Sequence, residues 1–102
     1  FEQHDFLVCP ATQAMPFPAA EPWPREIDGR ALTNYIDWLA IDYLWSFTGC
    51  PVLALPARAA APGVLPVGLQ VIGPPRSEAA LFAFGAWVER TLDTAARPVD
   101  PV

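Results

Sequence analysis

The sequence predicts an α/β fold, and one that is not complete in itself. Three short apolar runs, at residues 6–9, 52–55 and 67–72, are bounded by proline or glycine and have the length of buried strands. Two longer stretches, residues 31–47 and a second opening at Ser77, repeat apolar side chains at spacings of three and four, the helical period. A chain that is 53% hydrophobic with four Trp cannot hide its apolar surface in three strands and two helices. The expectation is an edge piece of a larger α/β domain.

Taken in order, Phe6-Leu7-Val8-Cys9 forms the first strand, stopped by Pro10. Residues 10–30 carry Pro10, Pro16, Pro18, Pro22 and Pro24 with an Asp28-Gly29 turn, a density that neither helix nor sheet tolerates. An extended surface loop is predicted there. Residues 31–47 contain no Pro or Gly and place Leu32, Tyr35, Ile36, Leu39, Tyr43 and Leu44 at helical spacing. Trp38, Ile41 and Trp45 make this helix apolar nearly all round, so it must be buried in something larger. Thr48-Gly49-Cys50-Pro51 ends it, and Val52-Leu53-Ala54-Leu55 follows as a strand closed by Pro56. Residues 57–66 read as an Ala/Pro/Gly loop, and residues 67–72 as a third strand ended by Gly73-Pro74-Pro75. Ser77 is an N-cap with Glu78 in the first turn, and Leu81, Phe84, Val88 and Leu92 share one face of the helix it opens, with Phe82 and Trp87 beside it. Residues 95–102 form a Pro-punctuated, flexible tail, so the organisation is one segment, 1–94, plus that tail. No internal repeat is present.

Composition excludes several function classes. The six basic residues are all arginine (Arg25, Arg30, Arg58, Arg76, Arg90 and Arg97), against a net charge of −5. Without a lysine, this chain holds no phosphate-loop Lys, Schiff base or Ser–Lys couple. Scattered arginines on an acidic chain make no nucleic-acid stripe. No apolar stretch approaches the ~18 residues a membrane span needs. Opening on Phe1, the chain is expected to be processed or cut, with none of the basic start of a signal peptide. Two cysteines do not make a secreted disulfide framework, and a cytoplasmic location is expected.

Candidate chemistry is sparse. Ser46 and Ser77 lie outside any Gly-x-Ser-x-Gly elbow, and His4 is the one imidazole, expected at the solvated surface. One His without Cys-x-x-Cys or His-x-x-x-His partners builds no zinc site, so no metal or cofactor is expected. Cys9 and Cys50, each before a proline, are small buried thiols. Asp42 follows Asp37 by five positions, about 140° around a helix, so if Asp37 faces solvent Asp42 faces inward beside Trp38 and Leu39. It is either an acid paired with an arginine or a pocket-lining carboxylate.

Thr48-Gly49-Cys50-Pro51-Val52-Leu53-Ala54-Leu55-Pro56 followed by Gly63-Val64-Leu65-Pro66-Val67-Gly68-Leu69-Gln70-Val71-Ile72-Gly73 resembles the C-terminal signature of amidase-signature hydrolases. Asp5-Phe6-Leu7-Val8-Cys9-Pro10-Ala11-Thr12 resembles the upstream strand of that family, and Asn34-Tyr35-Ile36-Asp37-Trp38-Leu39 the helix of its bacterial amidase branch. The resemblance runs from about Asp5 to Arg90. Val52 and Ala54 stand where the pattern has Ala and Ser, and Val64 is inserted before Leu65-Pro66.

The resemblance implies the C-terminal part of a mixed-sheet α/β/α amidase domain that hydrolyses carboxylic amide C–N bonds with a Ser, a cis-Ser and a Lys. None of the three is in this chain. It implies an amide substrate, the missing N-terminal part of the same domain as partner, and room for a homodimer. Tyr35, Trp38, Leu39 and Asp42 would then form one wall of the acyl pocket. In the tRNA-dependent glutamine amidotransferase branch an acidic residue about ten positions before the strand glycine grips the glutamine amine. Counting back from Gly49 gives the apolar Leu39, a departure that points to a less polar amide. The competing expectations are a truncated non-catalytic remnant acting as an interaction module, and a redox or binding domain built on Cys9 and Cys50.

Overall fold

The computed structural model describes residues 1–57, 65 and 67–94. The tail expected at 95–102 and most of the loop expected at 57–66 lie outside these. In chain order the elements are β1 (Leu7–Pro10), β2 (Glu26–Ile27), β3 (Arg30–Ala31), a 3-10 turn (Asp37–Leu39), α1 (Ala40–Ser46), β4 (Val52–Ala57), β5 (Val67–Ile72) and α2 (Glu78–Leu92). Helices and strands are mixed, as an α/β chain requires.

The main sheet has the order β1-β5-β4, and both pairings are antiparallel. β5 takes the centre because its apolar run contains no proline. Prolines are confined to its neighbours, where they cost no ladder bond. Ala11 donates to Gly68 O at 2.9 Å and Gly73 to Pro51 O at 3.1 Å. With the alternation of an antiparallel ladder, these bonds place the nitrogens of Pro10 and Pro56 on the outer sides of β1 and β4. Contrary to expectation, Pro56 therefore does not close its strand. β4 continues to Ala57, with Pro56 opposite Gly68.

Leu53, Leu55 and Val71 lie on one face by register and alternation, and α2 covers it. Leu55, Val71, Leu81 and Val88 are the buried core, with Phe6, Leu53, Phe84 and Leu92 packed against them. The helical face expected from spacing is thus the one buried. Gly85 sets the depth of the contact, because a Cβ there would strike Leu53 Cδ2. Phe84 stacks between Phe6 and Trp87, with ring centroids at 4.8 and 5.7 Å. Ser77 does occupy the cap position, but its hydroxyl makes no capping bond; the turn is closed by backbone bonds, Ser77 N–H to Pro74 O and Leu81 N–H to Ser77 O.

The first helix starts later than its apolar spacing suggests. Glu26–Ile27 and Arg30–Ala31 pair across Asp28 (φ 50°) and Gly29 (φ 73°), a two-residue hairpin whose turn takes positive φ at both positions. After it, Asn34 Oδ1 accepts from the N–H groups of Ile36 (2.9 Å) and Asp37 (3.2 Å). These side-chain bonds close a turn just ahead of the 3-10 segment, so helical chain begins beyond Asn34 and not at residue 31. Thr33 reinforces the turn: its N–H and hydroxyl both donate to Asp37 Oδ2, at 3.2 and 3.0 Å.

α1 lies over the opposite face of the sheet from α2. Gln70 and Ile72 point to that side by register, and the Gln70 side chain reaches Asp42 of α1. Among the described residues five hydrophobic side chains are buried, whereas fourteen large ones are exposed. Tyr43, Leu44 and Phe47 of α1 and its C-terminal flank are among the exposed, Phe47 at 84%. The apolar surface anticipated for this helix is present, and the described residues leave it uncovered.

Candidate functional site

A cavity of about 590 Å³ is bounded by residues 10–17, by Val67-Gly68-Leu69 and by Trp38. Its walls are predominantly apolar, with Met15, Phe17 and Trp38 the large side chains. Local sequence explains the shape. Pro10 ends β1, and the chain leaves the sheet after the Ala11 N–H···O=C Gly68 bond. Gly68 permits this departure, since a Cβ at that position would lie 2.8 Å from Ala11 Cβ. The segment then crosses towards α1: Gln13 Nε2 donates to Asp37 O at 3.0 Å, and Phe17 meets Trp38 edge-on at 5.7 Å.

Aromatic packing fixes Trp38 from behind. Tyr35 stands edge-on to it at 6.1 Å, and Trp23 stands edge-on to Tyr35 at 6.2 Å. The Arg25 guanidinium caps the series 4.2 Å above the Trp23 ring, a cation–π contact.

Beneath the segment lies Gln70, the buried polar residue of the core at 6% exposure. Its Nε2 donates to Pro10 O (3.2 Å) and Ala11 O (3.1 Å), with Asp42 Oδ1 at 3.5 Å. Asp42 Oδ2 is buried with no partner among the described residues, and so are the indole nitrogens of Trp38 and Trp45. These three groups lie at helical spacings of four and three on one stripe. Burial pushes the Asp42 carboxyl above its ordinary pKa. Asp37 moves the other way, held low chiefly by the Thr33 backbone N–H and hydroxyl and also by Asn34. It is exposed while Asp42 is half-buried, the opposite facing that their spacing implies.

Of the four side chains expected to form a wall, Trp38 lines the cavity. Tyr35 buttresses it, Asp42 joins Gln70 beneath it, and Leu39 is half-buried outside the lining. Asp37 borders a separate, more polar hollow of about 520 Å³ with Arg30, Thr33 and Tyr43. His4 is exposed and shares a shallow hollow with Asp5 and Ser77. The Ser77 hydroxyl is buried there without a hydrogen-bond partner among the described residues, so none of them acts as a base on it, and a nucleophile needs one within reach. Cys9 and Cys50 are free and half-buried rather than fully buried. No group of three or more His, Cys, Asp or Glu able to hold a metal occurs among the described residues.

Sequence reasoning missed Gln70, Gly68 and the 10–17 segment. One signal was available: a lone amide inside the apolar run of β5 must find acceptors when buried. The segment itself reads only as a proline-rich loop.

Comparison with known proteins bears on the whole arrangement. A family model described as Amidase matches residues 1–82. A glutamyl-tRNA(Gln) amidotransferase subunit of Archaeoglobus fulgidus is 35% identical over 88 residues, which cover 86% of this chain and 17% of that protein. The chain therefore spans less than a fifth of this relative's length. No solved structure matches. Among the described residues no helix is long and apolar enough to cross a membrane.

Proposed function

The chain belongs to the Amidase family, and from that premise we propose that residues 1–94 are the C-terminal part of an amidase domain whose catalytic residues lie elsewhere. In this reading the whole protein hydrolyses carboxylic amide C–N bonds in the cytoplasm. A Lys held neutral takes a proton through a bridging cis-Ser, and the nucleophilic Ser attacks the amide carbonyl. This chain supplies none of the three. It contributes the antiparallel end of a larger mixed sheet and one wall of the acyl pocket.

The observation that carries the proposal is the Amidase match over residues 1–82 of a chain that contains no lysine. The cavity supports the pocket assignment, because an apolar wall keeps water from the reacting carbonyl and strengthens the electrostatics around it. Trp38 forms that wall, backed by Tyr35, with Leu39 and Asp42 on the same helical segment. A wall of this composition suits an amide with an apolar acyl group.

A second reading is favoured by the 35% identity to the Archaeoglobus amidotransferase protein, which would make glutamine the amide donor. Leu39 weighs against it, because an apolar side chain cannot grip an ammonium group.

Kinetics of the full-length protein separate the alternatives. Apolar amides are expected to have the higher kcat/KM, and Trp38→Ala to raise their KM about tenfold, the equivalent of ~1.4 kcal/mol of lost apolar contact, with kcat little changed. Glutamine as the preferred substrate would overturn the apolar assignment. The 102-residue chain alone is expected to turn over no amide. Turnover that survives Ser46→Ala and Ser77→Ala in that chain would contradict the whole scheme.

A further inference from the structure

The surroundings of Gln70 dictate which way its amide points. The three groups near Nε2 are the Pro10 carbonyl at 3.2 Å, the Ala11 carbonyl at 3.1 Å and the Asp42 carboxylate at 3.5 Å. Peptide carbonyls only accept, and so does an ionised carboxylate, so the NH₂ group must face them. Two amide hydrogens serve three acceptors. The carbonyls, being nearer, take them, and Asp42 draws on what is left.

Pro10 and Ala11 are the last residues of the chain before it departs from β5 to border the cavity. The ladder ends there with the Ala11 N–H bond to Gly68, and the next tie to another element is Gln13 on Asp37 O. We propose that Gln70 is a positioning residue that clamps the start of segment 10–17 and thereby sets the width of the apolar cavity, with Asp42 holding the amide in its donating orientation. The neighbours make this specific to an amide donor. Glutamate at position 70 would put a fourth acceptor among three, and leucine would take the side-chain donor away from both part-buried carbonyl contacts. Gly68 belongs to the same device, since only without a Cβ can Ala11 lie close enough for its carbonyl to be reached.

The clamp stands on geometry alone; its effect on turnover rests on the amidase reading. The test uses the full-length protein and hydrogen exchange followed by peptide mass. In Gln70→Glu at pH 8, exchange over residues 10–17 is expected to rise about tenfold or more, while residues 78–92 keep wild-type protection. The titratable groups facing position 70 are Asp42 on α1 and Cys9, its cross-strand neighbour on β1. Glutamate at this buried position, facing an acidic neighbour and two carbonyls, takes up a proton above its ordinary range, so lowering the pH toward 5 is expected to restore an O–H donor and part of the protection. A purely structural lesion would not recover in this way. Unchanged exchange over 10–17, or equal loosening of α2, would overturn the proposal. Should Gln70→Glu fail to fold, Gly68→Ala leaves the amide intact and pushes Ala11 away. The same local loosening is expected, without recovery at low pH, and its absence would overturn the proposal too. With an apolar amide, Gln70→Glu is also expected to raise KM more than it lowers kcat. Locally raised exchange with unmoved KM would uphold the clamp and overturn the pocket reading.

Discussion

Asp37 and Asp42 stand five residues apart and have their carboxyl pKa pushed in opposite directions, for causes that can be separated. Asp37 accepts from the Thr33 N–H and hydroxyl, which favours its charged form. Asp42 is raised by desolvation, and its Oδ2 is without a partner among the described residues. A carboxyl whose folded pKa is raised binds its proton more tightly folded than unfolded. Its ionised form therefore costs stability at neutral pH, and that cost disappears as pH falls through the raised pKa. Asp42→Asn keeps an acceptor for Gln70 and removes the charge. It is expected to raise the thermal midpoint at pH 7, with the gain shrinking towards about pH 4; a lowered midpoint at pH 7 would show that Asp42 has a cationic partner. The inward facing of Asp42 was legible from its spacing to Asp37, because helical geometry alone sets it. Its partner was not, because Gln70 is 28 positions away on a strand.

At the scale of elements, α2 and β5 follow from their patterns and α1 does not. Leu81, Phe84, Val88 and Leu92 repeat without interruption, and the sheet face they cover alternates in step. For α1 the apolar period runs on through residues 31–36, but Thr33 and Asn34 offer the backbone a better arrangement than helix. These turn-forming residues were present in the sequence and outweighed by the period. Asn34→Ala removes both turn bonds and is expected to cost about 1 kcal/mol, seen as faster amide exchange across Ala40–Ser46 with α2 unaffected. Gly85→Val forces α2 off Leu53 and is expected to destabilise by about 1–3 kcal/mol, read from the denaturation midpoint. A Gly85→Val protein as stable as wild type would mean that α2 can rise from the sheet at no cost. Pro56 was misjudged as a terminator, whereas Pro10 does end β1, because sequence does not say which side of a strand a proline nitrogen faces.

The molecule as a whole carries more apolar surface than its core absorbs. Phe82 and Trp87 on α2, Tyr43, Leu44 and Phe47 around α1, and Leu7, Val8 and Val52 on the outer strands are all exposed. A monomer rarely leaves so much uncovered, and the proposed remainder of an amidase domain would cover it. That excess was legible in composition alone, since it needs only a count of apolar residues against the strands and helices available. The cavity was not, because it is made where a proline-rich segment passes a strand and a helix that are distant in sequence. The central proposal, that this chain completes a domain several times its size, is tested most directly by the intact mass of the native gene product in its source cell. A polypeptide several-fold heavier than 11.1 kDa that contains residues 1–102 is the expected result. A native product of about 11.1 kDa would contradict it.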